Sequence, residues 1–139
     1  MGLSRFVAVC AFAASVGFAG LPAFAAETYS PQKGDEVVVY THKFKAENYE
    51  AGLKLVEEAF PAAQAKAGQT RRNYILTNPS DHEVTLVSFF APGSSVEEWH
   101  KFMGRLEVLK QLEPMRSEPL KLERFKLEAI ADVAGKPAQ

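Results

Sequence analysis

Glu36 to Phe44 (EVVVYTHKF) is rich in β-branched and aromatic residues and reads as a strand with apolar side chains on both parities. Val37 and Val39 point one way, and Val38, Tyr40, His42 and Phe44 point the other. A strand apolar on both faces is stable where both faces are covered. That requirement sets the terms for the rest of the chain, which must cover one face and leave the other to something else.

The following segments supply one layer. Leu53, Val56, Phe60 and Ala63 fall on one face of a helix that starts near Ala46. Pro61 predicts a kink or break near Phe60, and Gly68 terminates the helix. Arg71 to Asn78 (RRNYILTN) and Glu83 to Ala91 (EVTLVSFFA) read as strands of an antiparallel hairpin. They are joined by the turn residues Asn78-Pro79-Ser80-Asp81. After Pro92-Gly93, Ser95 and Glu98 form a capping box that opens a second helix. Trp99, Phe102, Met103, Leu106 and Leu109 make its apolar stripe, and Gly104 is a possible bend. Pro114 and Pro119 stop the helical stretch. Pro119 to Ala131 (PLKLERFKLEAIA) then reads as a long final strand, its apolar parity shifting between Leu122 and Phe125, which suggests a bulge or bend.

The order strand, helix, strand, strand, helix, strand is the βαββαβ arrangement of a ferredoxin-like α+β sandwich, expected over residues 35–131. Two helices cover one sheet face and leave the other bare. Because Val and Phe occupy both parities of the first and third strands, the bare face is apolar too. A homodimer joined through the sheet face is the expected solution.

The first 25 residues obey different rules. Eighteen of them are hydrophobic, against 47 of the remaining 114. Arg5 is a positive n-region, Phe6 to Gly20 is an uncharged apolar run, and Ala23-Phe24-Ala25 suits a cleavage site, so residues 1–25 read as a cleaved signal peptide. The run is shorter than a membrane span of about 20 residues needs, and no basic stop-transfer cluster follows, so no stable span is expected after cleavage. An exported protein, periplasmic or secreted, is the result. Residues 26–34 read as an exposed lead-in and residues 132–139 as a flexible tail. Cleavage removes Cys10, the only cysteine, and with it thiolate chemistry and zinc–cysteine sites. It also removes Arg5 and takes the formal net charge from -1 to -2, which excludes a strongly basic nucleic-acid binder.

This organisation resembles the dimeric α+β barrel superfamily, and most closely its antibiotic biosynthesis monooxygenase-like (ABM) domains. The likeness rests on the VVVYTHKF strand, the helix ending AKAG, the hairpin RRNYILTN…EVTLVSFF and the stretch SSVEEWHKF…RLEVLKQLEP. It implies two protomers joined sheet to sheet, each with a small pocket between helices and sheet. Enzymatic members of the family oxidise polycyclic phenols or quinols with oxygen and without metal or flavin, so no cofactor is implied. Haem-degrading relatives use an Asn on the first strand, a Trp, and a His well downstream of it. Here the first strand carries Thr41 and His42, His100 follows Trp99 directly, and no later His exists, so that constellation is absent. Export also departs from the cytoplasmic majority of the family.

Within that implied pocket, His42 and His100 are the candidate catalytic bases, because imidazole exchanges protons near neutral pH. The other reading of His42 is a semi-exposed strand-end histidine flanked by Lys43 and Lys45, and that of His100 a solvated neighbour of the Trp99 stripe. Tyr40, Phe44, Asn73, Phe89, Trp99 and Met103 are the candidate substrate-lining residues, with core packing or a dimer face as their other reading. Arg71-Arg72 is an anion anchor or an edge-strand charge pair. The three histidines lack metal-ligand spacing, so no metal is expected. The expected ligand is a small aromatic or apolar molecule. As an enzyme, the chain would be a cofactor-independent monooxygenase acting on a phenol or quinol. The alternatives are a non-catalytic binding or stress-response module, including haem or hydrophobe carriage, and a structural dimer without ligand.

Overall fold

The computed structural model describes residues 28–69 and 71–136. The signal-peptide expectation, residues 26–27 and the end of the tail lie outside them. Four strands form one antiparallel sheet: β1 (Glu36–Lys43), β2 (Arg71–Asn78), β3 (Glu83–Phe90) and β4 (Lys121–Lys126), in the order β2-β3-β1-β4. The helical layer comprises α1 (Tyr49–Lys54), α2 (Phe60–Lys66), α3 (Val96–Lys101) and α4 (Met103–Leu112). This is an α+β sandwich of the ferredoxin-like type, as the order of periodicities predicts.

The pleat divides β1 cleanly. Val38, Tyr40, His42 and Phe44 are buried under the helices, packed with Val84, Leu86, Phe90, Val56, Phe60, Trp99 and Leu112 or against their neighbours. On the other side, Val39, Thr41, Val87 and Phe89 are half-buried, and Tyr74, Leu76 and Phe125 are 45%, 55% and 54% exposed. The sheet therefore has a second, largely apolar face that the protomer itself leaves open.

Pro61 acts one turn earlier than its own position. It has no N–H for the carbonyl four residues back, and its ring crowds that carbonyl. The chain between α1 and α2 widens accordingly into a π-helical turn, Leu55–Ala59, closed by the Phe60 N–H donating to the Leu55 carbonyl. The helix thus passes Pro61 without breaking, and Val56, Phe60 and Ala63 stay buried. Gly68, at φ +71°, ends it.

Two details differ from the sequence expectations, and a third adds to them. First, the second helix is interrupted at Phe102, whose extended backbone (φ -65°, ψ 126°) separates α3 from α4. The ring of Phe102 then occupies the space beside Gly104, where a Cβ would run into it. The break rotates α4, so Arg105, Val108 and Leu112 face inward while Met103 is 65% and Leu106 40% exposed. Second, the final strand is only Lys121–Lys126, and no bulge occurs. Its register on β1 is continuous, with Leu122 opposite Tyr40 on the helix side and Phe125 opposite Val37 on the open side. The apparent parity shift is one apolar residue for each face. Third, the lead-in is tethered although mostly exposed. The Tyr29 hydroxyl and the Gln32 N–H both donate to the Asp35 carboxylate (2.6 and 2.9 Å), and the Gly34 N–H donates to Leu127 (2.7 Å).

Candidate functional site

The middle of the helix-facing column of β1 is polar at one atom. Tyr40 is fully buried beside Phe60 (ring centroids 6.1 Å), and its hydroxyl accepts a hydrogen bond from Trp99 Nε1 at 3.0 Å. Trp99 is delivered by α3, whose first turn is fixed by the Ser95 side chain accepting from the Glu98 N–H at 3.1 Å. The next residue, His100, places Nε2 3.5 Å from the same hydroxyl and is itself only half-buried. Sequence neighbours on a helix thus meet one phenol from two directions, one donating and the other reaching solvent.

Electrostatics sets the protonation states. Burial pushes the Tyr40 hydroxyl above its ordinary pKa, while the Trp99 hydrogen bond and the Arg105 and Arg71 charges pull the other way. Burial, assisted by the positive charges of Arg105 and Arg124, holds His100 below the usual histidine value against the opposing pull of Glu97. His100 is therefore neutral at pH 7, with a nitrogen able to accept a proton.

Two guanidinium groups border this cluster. Arg71, on the helix side of β2, lies 3.7 Å from the Phe90 ring centroid and 4.9 Å from that of Trp99. Burial lowers its pKa to about 10. Arg105, on α4, is 7% exposed and donates to the His100 carbonyl at 3.0 Å. Arg71 is present in the sequence reading as half of a charge pair, but β2 splits that pair between the two sheet faces, with Arg72 on the open side. Arg105 escaped the sequence reading entirely. A lone Arg between apolar helix positions carries no signal until the break at Phe102 turns it inward.

The remaining candidates are dispersed. His42 is two residues from Tyr40 on the same face but stands apart from His100. It is fully buried, stacked on Phe44 (5.7 Å, 3°) and 6.1 Å from Phe60, and neither ring nitrogen has a hydrogen-bond partner. Burial, with the Arg116 charge, lowers its pKa to about 4. Asn73 joins a side-chain network in which its Nδ2 donates to Gln64 Oε1 (2.6 Å) and its Oδ1 accepts from Ser88 Oγ (2.6 Å). Phe89 lies on the opposite sheet face, edge-on to Tyr74 at 5.7 Å, so it cannot line a pocket with Tyr40 or Trp99. Met103 points to solvent because of the break before it.

The surface clefts of the described residues lie elsewhere, and two of them show where. One, of about 550 Å³, is floored by Ala51, Leu55, Ala59 and Met115, and another, of about 290 Å³, runs between Gly34–Glu36 and Phe90–Pro92. Neither is lined by Tyr40, His42, Trp99 or His100. Among the described residues no three His, Cys, Asp or Glu side chains gather around a common point for a metal ion. No described helix is long and apolar enough to cross a membrane.

No protein-family model and no curated protein sequence matches the chain. Solved structures do. A protein of unknown function from Nitrosomonas europaea is 18% identical and superposes with a TM-score of 0.58 over 73% of this chain and 97% of its own. A candidate antibiotic biosynthesis monooxygenase from the same organism is 14% identical, with a TM-score of 0.55 over 70% of this chain and 94% of its own. A dimeric ferredoxin-like protein from an uncultured marine organism is also 14% identical, with a TM-score of 0.51 over 73% and 95%. At these identities the likeness concerns the backbone: the chain has the ferredoxin-like α+β fold that these proteins share.

Proposed function

We propose that the chain is an exported ABM-like domain that pairs sheet to sheet and binds a small hydroxylated aromatic molecule, a phenol or quinol. The binding place is the Tyr40–Trp99–His100 cluster of each protomer. The observation that carries this reading is the polar run from Trp99 Nε1 to the Tyr40 hydroxyl and on to His100 Nε2, set among aromatic rings. A ligand ring finds aromatic walls there, and its hydroxyl finds a neutral imidazole at the solvent edge. The open apolar face supports the pairing. The fold shared with a candidate monooxygenase and with a dimeric protein is consistent with both halves of the proposal.

The chemistry follows from the proton position. His100 takes the hydroxyl proton, and the resulting phenolate is electron-rich enough to be attacked by oxygen. For a phenol with a free para position, one O2 is consumed. One oxygen atom becomes the second quinone carbonyl, and the other leaves as water with the para hydrogen and the hydroxyl proton. The balance needs no further reductant. Tyr40 and Trp99 are fully buried in the free protein, and the Phe102 ring is stacked 6.1 Å from Trp99 at the α3–α4 break.

Native mass spectrometry of protein purified from its own envelope tests dimer and ligand together. Oxygen uptake with 1-naphthol should then fall at least tenfold in His100→Ala. A retained ligand without oxygen uptake points instead to a non-catalytic binding module, and a Soret band on haem titration to haem carriage. A dimer that retains and binds nothing is a structural dimer.

A further inference from the structure

Arg105 is a buried cation and Arg71 a half-buried one, and the hydroxyl chemistry proposed above assigns neither a ligand contact. The ion pairs among the described residues use Lys33, Lys43, Lys121 and Arg124, and neither Arg71 nor Arg105 meets a carboxylate. A charge taken out of water is costly unless it is paired. Arg71 is partly compensated by the faces of Phe90 and Trp99, and its Nη2 donates to Gln69 Oε1 at 2.6 Å. Arg105 spends Nη1 on the His100 carbonyl. Ring faces act on the charge from above the guanidinium plane, whereas the N–H donors lie within it. Arg71 Nε and Nη1 and Arg105 Nε are accordingly buried with no acceptor. Donors in a planar fork match a planar carboxylate better than any neutral group. Arg71 lies 4.9 Å from the Trp99 ring, whose Nε1 donates to the Tyr40 hydroxyl, and Arg105 donates to the carbonyl of His100, whose Nε2 stands 3.5 Å from that hydroxyl, so the forks and the hydroxyl-binding end belong to one site.

Resting on the aromatic-ligand reading above, we propose that the ligand is a hydroxyaromatic acid. Its carboxylate is taken by Arg71 and Arg105, and its hydroxyl faces His100. The aromatic walls beside the Arg71 fork select a flat acid-bearing ring over a free inorganic anion.

Fluorescence titration of the full mature chain with 2-naphthol, 2-naphthoate and 6-hydroxy-2-naphthoate tests this. The hydroxy acid should bind at least tenfold more tightly than 2-naphthol, and equimolar inorganic phosphate should not displace it. Arg71→Lys and Arg105→Lys keep the charge but lose the fork. Each should bring the hydroxy acid to within about threefold of 2-naphthol measured on the same variant. The wild-type comparison decides the matter even where a variant fails to fold. Equal binding of 2-naphthol and the hydroxy acid, or displacement by phosphate, overturns the acid-binding proposal and leaves the phenol reading standing. Binding of none of the three probes overturns both.

Discussion

His42 sits among Phe44 and Phe60 with both ring nitrogens unpaired, so protonating it in the folded state means burying an uncompensated charge beside Arg116. Its folded pKa is about 4, below the 6.5 of an unfolded histidine. As pH falls through 6.5 the unfolded chain gains a proton that the folded one does not, so stability falls until about pH 4 and then levels. The loss due to His42 is about 2–3 kcal/mol. Urea midpoints measured between pH 7 and pH 4 should show this decline, and His42→Leu should flatten it. An unchanged slope in the variant would place the titrating group elsewhere. The Tyr40–Trp99 bond is a second residue-scale test. Tyr40→Phe strands the buried indole N–H and should cost about 1–3 kcal/mol, while adding Trp99→Phe to it should cost less than the sum of the single changes. Strict additivity in that double-mutant cycle would mean the bond does not form in solution.

The elements are held by a few local devices. The Ser95 side chain caps α3 and so aims Trp99 and His100. Ser95→Ala should cost about 1 kcal/mol in denaturant unfolding and loosen the site's supply helix. Gly52 on α1 lies against the buried Phe44 ring, and a Cβ there would stand 2.6 Å from ring carbons. Gly52→Ala should therefore destabilise by about 1–3 kcal/mol, although alanine is the better helix former. A variant as stable as the parent would show that Phe44 has room to retreat. The π-helical turn before Pro61 and the break at Phe102 show how much one residue can redirect an element. The first was legible as a proline in a helical stripe, though as a kink or break rather than a widened turn. The second was not, because Phe102 fits the 3.6-residue stripe and nothing local marks it as extended.

For the whole molecule, the uncovered sheet face is the main consequence of the fold. Tyr74, Leu76 and Phe125 project from it, and pairing two copies there would remove them from water. Leu76→Lys places a charge on that face and should shift the protein to monomer in sedimentation velocity at micromolar concentration, with the far-ultraviolet circular dichroism retained. A wild-type protein that already sediments as a monomer at that concentration would overturn the pairing.

What the sequence determined by itself were the things periodicity encodes: the order of elements, the two apolar faces of β1, the hairpin turn and the α3 cap. Each depends on neighbours in the chain. The site was only partly legible, and for a physical reason. Tyr40, Trp99 and His100 could be named from their types and parities. Which of them meet, and that His42 is sealed away from them, depends on how the helices cross the sheet. Arg71 and Arg105 are 34 residues apart in the chain, and they come beside Trp99 and His100 only after the strand parity and the Phe102 break have turned both inward. Side-chain convergence of that kind is set by tertiary packing, which no local pattern records.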